Sequence, residues 1–214
     1  ASRDARFVGE WVEPVPGQPG RVQGVALFPG GHARAIDMAT LRHDLWRLEG
    51  DTLVVVVASV GNRVTDVGTR RFVARTDSSG APVLVEGGTT YRRRDAGPTP
   101  APRCWRHDAP GAEYMATLFE LGDSVHGRLR YEARERDGND GAFVGARGAD
   151  GTIAGTYFYY SEGQLSERDV AFRVVGDTLV ESDTPRDLVR GRFTWRGGAP
   201  TRFGGPRFVP APCP

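Results

Sequence analysis

Trp46–Val57 reads Trp-Arg-Leu-Glu-Gly-Asp-Thr-Leu-Val-Val-Val-Val, and this stretch decides the fold. Gly50-Asp51 separates two strand-forming runs, and glycine at the first central position supplies the positive φ that a type II′ hairpin turn needs. The four valines that follow are β-branched and uninterrupted by polar residues. They predict a strand that is buried on both faces.

The same hairpin phrase returns in the second half of the chain. Val174–Val180 repeats it almost letter for letter, and Glu120–Val125 repeats it loosely. The 29 glycines and 15 prolines are spread between apolar runs along the 214 residues, which is typical of many short strands joined by turns. The predicted fold class is therefore all-β, with two small antiparallel barrels or sandwiches.

Proline marks the predicted boundary between the two halves. Residues 1–93 carry the pattern of about eight short strands. Residues 94–103 contain three prolines and no strand pattern, so they are predicted to be a semi-rigid linker. Residues 104–214 form the second predicted domain and end in a tail that is rich in proline, glycine and arginine.

The net charge of the chain gives no general electrostatic attraction to a strongly charged partner. The net charge is +1, with arginine as the basic residue throughout, so neither nucleic acid nor a membrane surface is expected to attract the chain. No apolar run approaches the roughly 18 residues of a membrane span. The start, Ala-Ser-Arg-Asp-Ala-Arg, lacks a signal-peptide pattern and would suit a mature N-terminus.

No motif of catalysis or metal binding stands out. The histidines are not spaced as ligand pairs, and Cys-x-x-Cys, Gly-x-Ser-x-Gly and the P-loop are missing, so neither metal, cofactor nor enzyme activity is predicted. These histidines are His32, His43, His107 and His126. Asp137–Gly141 resembles a calcium loop without its later glutamate, and we interpret it, with Arg136, as a solvated hairpin turn.

Two cysteines, Cys104 and Cys213, lie far apart in the sequence. They would be two thiols in the cytosol or one disulfide in an oxidising compartment. The disulfide is favoured because it would tie the last segment to the start of the second half.

An aromatic strand, Thr152–Tyr160, ends in Tyr-Phe-Tyr-Tyr. One of its faces must join the core. The other face, with nearby arginines, has the composition of protein-interface hot spots, although a purely structural role and a ligand pocket stay open. The candidate protein-interface residues are Phe158, Tyr160, Arg168 and Arg173.

Three runs in the first half resemble a known family. Phe7–Gly17 with its Gly9-x-Trp11, then Ile36–Leu41, then Trp46–Leu53 look like the lipocalin-like domains of bacterial cell-envelope proteins. The resemblance implies a small up-and-down barrel outside the cytoplasm, with no activity attached. It also implies a structural role for Trp11 at the closed base of the barrel, and we assign Trp46 to the same base.

The second half resembles the C-terminal part of bacterial envelope proteins that share this first half. Cys104, Gly155-x-Tyr157 and Arg168–Phe172 carry the likeness, and those proteins also tend to close with a cysteine, as Cys213 does here. The resemblance supports the disulfide and implies no mechanism.

We expect a periplasmic or otherwise extracytoplasmic accessory or scaffold protein, without enzyme activity, that binds another protein. An extrinsic, membrane-peripheral subunit of a membrane complex is one form of this. The first alternative is a lipocalin-type carrier of a small apolar ligand in the first barrel, although the bulky Val54–Val57 favours a filled core. The second alternative, a hydrolase, would require a convergent acid/base pair in a cleft.

Overall fold

The computed structural model describes residues 3–61, 64–94, 100–133, 136–161 and 164–213. The chain forms two compact units, residues 1–99 and 100–214. Apart from two short 3₁₀ turns, Arg3–Phe7 and Pro29–Gly31, the regular elements are strands. The all-β prediction is confirmed. None of the helices in these ranges is long and apolar enough to cross a membrane.

The first unit is an eight-stranded antiparallel sheet with the order β3-β2-β1-β8-β7-β6-β5-β4. A bridge between His32 and Leu45 joins the two ends of the sheet, so it closes as an up-and-down barrel. Its strands are β1 Gly9–Pro14, β2 Val22–Leu27, β3 Ala33–Ile36, β4 Leu41–Glu49, β5 Thr52–Gly61, β6 Val64–Thr76, β7 Pro82–Glu86 and β8 Thr89–Arg94.

The second unit is a closed barrel with a hairpin attached. Strands β9 to β15 pair in chain order, and β18 joins β15 to β9. The β16–β17 hairpin lies beside β14 through a parallel pairing of Arg168 with Phe193. These strands are β9 Arg103–Ala109, β10 Ala112–Leu121, β11 Ser124–Ala133, β12 Arg136–Arg147, β13 Ile153–Ser161, β14 Gln164–Val175, β15 Thr178–Glu181, β16 Arg186–Val189, β17 Arg192–Trp195 and β18 Arg207–Pro210.

The hairpin phrase folds as predicted. Gly50, Gly122 and Gly176 have φ values of 63°, 62° and 64°. Both faces of β5 are buried, since Leu53 and Val55 on the inner face are 0% exposed and Val54 and Val56 on the other face are 1% exposed. The prediction of a doubly buried strand is confirmed.

The predicted turn at Arg136–Gly141, with its calcium-loop alternative, is wrong. This segment is the first half of β12, and Asp140 pairs with Arg130 of β11. Gly141 stands there because the neighbouring backbone is close, and a Cβ atom at this position would lie 1.9 Å from the Phe158 carbonyl oxygen. The predicted linker overlaps β8 at Arg94 and β9 at Arg103, and its residues 95–99 lie outside the described ranges, as do residues 1–2 of the polar start.

Gly24 of β2 also lies against a backbone. A Cβ atom on Gly24 would lie 2.0 Å from the Trp11 carbonyl oxygen. We expect Gly24→Ala to destabilise the protein by about 1–3 kcal/mol, because β1 would have to move. Gly68→Ala is the matched control, since a Cβ at Gly68 meets nothing within 4 Å. Chemical denaturation measures both variants, and equal effects would contradict the close approach of β1 and β2.

The expected disulfide is present. Cys104 of β9 is bonded to Cys213, with the Cα atoms 5.2 Å apart. Beside it, the Ala211 amide donates to the Cys104 carbonyl oxygen at 2.9 Å. The chain end is thus attached to the strand that opens the second barrel.

Cys104→Ser should lower the melting temperature under oxidising conditions. Because the bond spans 109 residues, the chain-entropy contribution is roughly 4–5 kcal/mol before any strain. A reductant should lower the melting temperature of the native chain and leave the variant unchanged. Thermal melting with and without dithiothreitol measures this, and a variant that melts like the native chain under oxidising conditions would mean that the bond is not formed.

Candidate functional site

The first barrel has an apolar interior at one end. Trp11 is 1% exposed and its Nε1 donates to the Phe7 carbonyl oxygen at 2.8 Å. Trp46 is also buried, and its Nε1 donates to the Phe28 carbonyl oxygen at 2.8 Å. Both tryptophans belong to one core cluster with Leu53 of β5. The structure therefore places the two residues assigned to the barrel base in packed, hydrogen-bonded core positions.

A polar layer lies next to this apolar core. Arg70 Nε donates to Glu86 Oε1 at 2.9 Å, and Arg70 Nη2 donates to Glu86 and to the Tyr91 hydroxyl. The Tyr91 hydroxyl in turn donates to Glu13 Oε1 at 3.2 Å, and Gln23 Nε2 donates to the same oxygen at 3.0 Å. The charges and donors of this layer are therefore matched to one another.

This network occupies the interior with the chain's own side chains. The Arg70 guanidinium also lies 4.9 Å from the ring centroid of Phe72, which is 0% exposed. An apolar ligand at this level would have to separate Arg70 from Glu86 without replacing their hydrogen bonds. The geometry argues against an apolar carrier site in the first barrel.

His43 is a buried histidine in the same interior. It pairs with Val57 of the core and is 2% exposed. Neither of its ring nitrogens has a hydrogen-bond partner among the described residues. Burial, and secondarily the charge of Arg70, lowers the pKa of His43 to about 4. The imidazole is consequently neutral at neutral pH.

His43 should make the protein less stable as the pH falls. Between pH 6.5 and about 4 the unfolded histidine binds a proton that the folded one does not. Stability therefore falls through this window, by about 3 kcal/mol in total, and this contribution levels off below it. We expect His43→Leu to lose this part of the pH dependence. Urea unfolding at neutral pH and about pH 5 measures it, and parallel losses in both proteins would contradict the assignment.

The second barrel has a similar apolar end. Trp105 Nε1 donates to the Asp177 carbonyl oxygen at 2.9 Å, and the Arg103 guanidinium lies 5.0 Å from the Trp105 ring centroid. Phe143 and Phe172, both 0% exposed, fill the space beside it. Each barrel thus has a tryptophan whose indole N–H is satisfied by a backbone carbonyl.

Tyrosines line the remainder of this interior. The ring centroids of Tyr114 and Tyr131 are 5.1 Å apart, those of Tyr131 and Tyr157 are 5.5 Å apart, and those of Tyr157 and Tyr159 are 4.8 Å apart. The Arg168 guanidinium lies 4.3 Å from the Tyr131 centroid and 5.1 Å from that of Tyr157. A cation is thereby held against several aromatic faces.

Arg168 was predicted to lie on an outer contact surface, but it lies on the inner face of β14, because strand alternation places it on the same face as Val170 and Phe172. Phe158 and Tyr160 lie on the opposite face of β13; Phe158 is 9% exposed and Tyr160 is 38% exposed. Arg173 is exposed and lies 4.2 Å from the Phe203 ring centroid. The four candidate interface residues do not form one surface, and a contact role for the other three stays a prediction.

Glu181 of β15 faces this cluster and is 5% exposed. The Tyr131 hydroxyl donates to Glu181 Oε2 at 3.1 Å. Glu181 Oε1 lies 4.0 Å from Nη2 of both Arg168 and Arg186, which is too far for a direct hydrogen bond. Burial raises the pKa of Glu181 although both arginines oppose the shift, and burial followed by the charge of Arg168 lowers the pKa of Arg186.

Three buried N–H groups in this region lack an acceptor in the described part of the chain. They are Arg168 Nε, Arg186 Nη2 and Trp195 Nε1. Arg186 and Trp195 are cross-strand partners in the β16–β17 hairpin. Since buried polar groups are normally paired, these donors mark a site that a bound molecule could complete.

Asp169 fixes the hairpin that carries two of these donors. Its carboxylate is ion-paired with Arg192 and accepts from the Trp195 backbone amide at 3.2 Å. Arg186 Nε donates to the Asp169 carbonyl oxygen at 2.6 Å. The Asp169 carboxylate is thereby occupied, and the Arg186 guanidinium has a fixed orientation.

An open cleft of about 450 Å³ lies on the second unit, beside the turns of β9–β10 and β11–β12. Its acidic residues are Asp108, Glu113 and Glu132. Arg106 pairs with Asp108 at 2.7 Å, and Arg130 pairs with Glu132. The described residues contain no cluster of His, Cys, Asp and Glu suited to a metal ion. The cleft is a surface of ion-paired side chains.

Comparison with known proteins places the first unit. A family model described as lipocalin-like matches residues 3–84. A crystal structure of a lipocalin-like protein from Bacteroides thetaiotaomicron is 35% identical, and the match covers 97% of that chain and 42% of this one, with a TM-score of 0.36. The first unit is a lipocalin-like domain. Both likenesses are confined to part of the chain, and none of the curated proteins matches it.

The lipocalin-like likeness of the first unit suggests a binding protein. No sequence pattern points to Glu181, Arg186 or Trp195, because the folded sheet alone brings their strands to β14. Alternation along β14 was the available signal, because Arg168 shares its face with Phe172 and so had to point inward.

Proposed function

We propose that this is a non-enzymatic binding protein that acts outside the cytoplasm and holds a small molecule inside its second barrel. The observation that carries the proposal is the trio of buried N–H donors on Arg168, Arg186 and Trp195. An unpaired buried donor costs roughly 1–3 kcal/mol, and more when it is charged. A ligand that supplies acceptors there removes that cost.

The contrast between the two interiors supports this choice of barrel. In the first barrel, the Arg70 guanidinium donates to Glu86, Tyr91 and the Met38 sulfur. In the second, Arg168 stands 4.0 Å from its carboxylate partner Glu181. Arg70 thus finds its acceptors within the first barrel, whereas Arg168 Nε and Arg186 Nη2 have none among the described residues and would gain them from a bound molecule.

The Cys104–Cys213 bond supports the extracytoplasmic location. Structural disulfides persist in oxidising compartments such as the periplasm and are rare in the cytosol. The two barrels would then be a secreted or envelope-associated receptor for a small molecule.

A second candidate function is the accessory or scaffold role, in which the chain binds a protein such as a subunit of a membrane complex. The β16–β17 hairpin favours it, because Leu188, Val189 and Phe193 are 63%, 50% and 41% exposed. Among the described strands, β16 pairs with β17 alone, which leaves a sheet edge of the kind that binds an extended segment.

Native mass spectrometry of the full chain, isolated gently from its source cells, separates the two functions. We expect an added mass of a few hundred daltons, which collisional activation removes. A co-purifying protein without such a mass would favour the scaffold role. The bare chain alone would contradict the ligand-binding proposal.

A further inference from the structure

We infer that the ligand of the second barrel is an organic carboxylate, whose carboxylate group lies among Arg168, Arg186 and Trp195. This inference rests on the proposed function and names the chemistry of its ligand. The unmet atoms are all N–H donors, on two guanidiniums and one indole. A group that only accepts hydrogen bonds, such as an ionised carboxylate, fits them, whereas a hydroxyl or an amide N–H would bring further donors.

The local charge points the same way. Two guanidiniums, those of Arg168 and Arg186, flank the single carboxylate of Glu181. The nearby Asp169 carboxylate is occupied by Arg192. Arg168 and Arg186 thus share one nearby carboxylate, and a monovalent anion between them would give these guanidiniums a second negative partner.

The donors are oriented before any ligand arrives. Arg186 is fixed by its Nε bond to the Asp169 carbonyl oxygen, and Trp195 by its backbone bond to the Asp169 carboxylate. Arg168 is held by the rings of Tyr131 and Tyr157. Preorganised charged donors bind carboxylates through short, charge-assisted hydrogen bonds.

The tyrosines indicate that the ligand has an apolar organic part and is not a bare inorganic ion. Tyr131, Tyr157 and Tyr159 form a continuous aromatic wall next to Arg168. An unsaturated or aromatic body packs favourably on such a wall. The Arg168 side chain is 24% exposed, and its Nε is buried.

Isothermal titration of the full chain with benzoate, benzamide and inorganic phosphate tests the inference. Benzoate and benzamide have the same ring and differ in the charge of the head group. We expect benzoate to bind at least about tenfold more tightly than benzamide, because its hydrogen bonds are charge-assisted. Phosphate, which has no apolar body, should bind more weakly than benzoate.

Variants locate the site. Trp195→Phe keeps an aromatic ring and removes the indole donor, so it should weaken benzoate binding by about tenfold. Arg168→Gln should abolish binding, with thermal melting as the check that it folds. Arg173→Gln, on the outer face of the same strand, is the matched control and should bind like the native chain.

The outcomes separate the inference from the function beneath it. Equal affinity for benzoate and benzamide would overturn the carboxylate assignment and leave a neutral-ligand site intact. Phosphate binding as tightly as benzoate would overturn the organic body. No binding of benzoate overturns the inference, whereas the proposed function then still depends on the added mass seen for the chain from its source cells. Equal losses in Trp195→Phe and Arg173→Gln would place binding elsewhere.

Discussion

Arg168 lies inside a closed barrel, where its guanidinium keeps a charge only because aromatic faces and Glu181 replace part of the water it has lost. A barrel interior accepts a side chain from every second position of each strand, so one charged residue there constrains its neighbours on the adjacent strands. Tyr157 on β13 and Glu181 on β15 compensate for the buried charge with an aromatic face and a carboxylate. The compensation is partial, since donors remain without acceptors among the described residues. This is the basis on which we propose the second barrel as the binding site.

The first barrel supplies hydrogen-bond acceptors for its buried arginine. Arg70 is also an inward-facing arginine next to aromatic rings, but Glu86 lies within hydrogen-bond distance and Tyr91 and Glu13 extend the network. Family membership concerns this first unit, which has the lipocalin-like sequence. The ligand site that we propose therefore lies outside the lipocalin-like part of the chain. The two halves share their tryptophan-closed apolar ends and differ in whether the buried arginine is fully paired.

Local sequence patterns predicted those structural features that depend on only a few neighbouring residues. Gly50-Asp51 and the four valines predicted a hairpin with a doubly buried strand, since turn φ angles and β-branching act over a few residues. Gly141 was misread as a turn, because a glycine demanded by a neighbouring backbone looks the same in sequence as one demanded by a turn. Arg168 was predicted to lie on the outer surface because arginine beside tyrosines is typical of protein interfaces. Its alternation with Phe172 along β14 indicates the inner face instead. Arg186 and Trp195 could not be foreseen, because the parallel contact of β17 with β14 depends on how the barrel closes.

The arginine Nε–H signals of the isotopically labelled full chain test the central claim most directly. Substitution to glutamine at Arg70 and at Arg168 assigns the two signals. We expect the Nε proton of Arg70 to exchange slowly with water and its signal to stay in place when benzoate is added, because this donor is already bonded to Glu86. We expect the Arg168 signal to shift when benzoate is added. A shift at Arg70 with none at Arg168 would contradict the account, because the first barrel would then be the one that accepts the ligand.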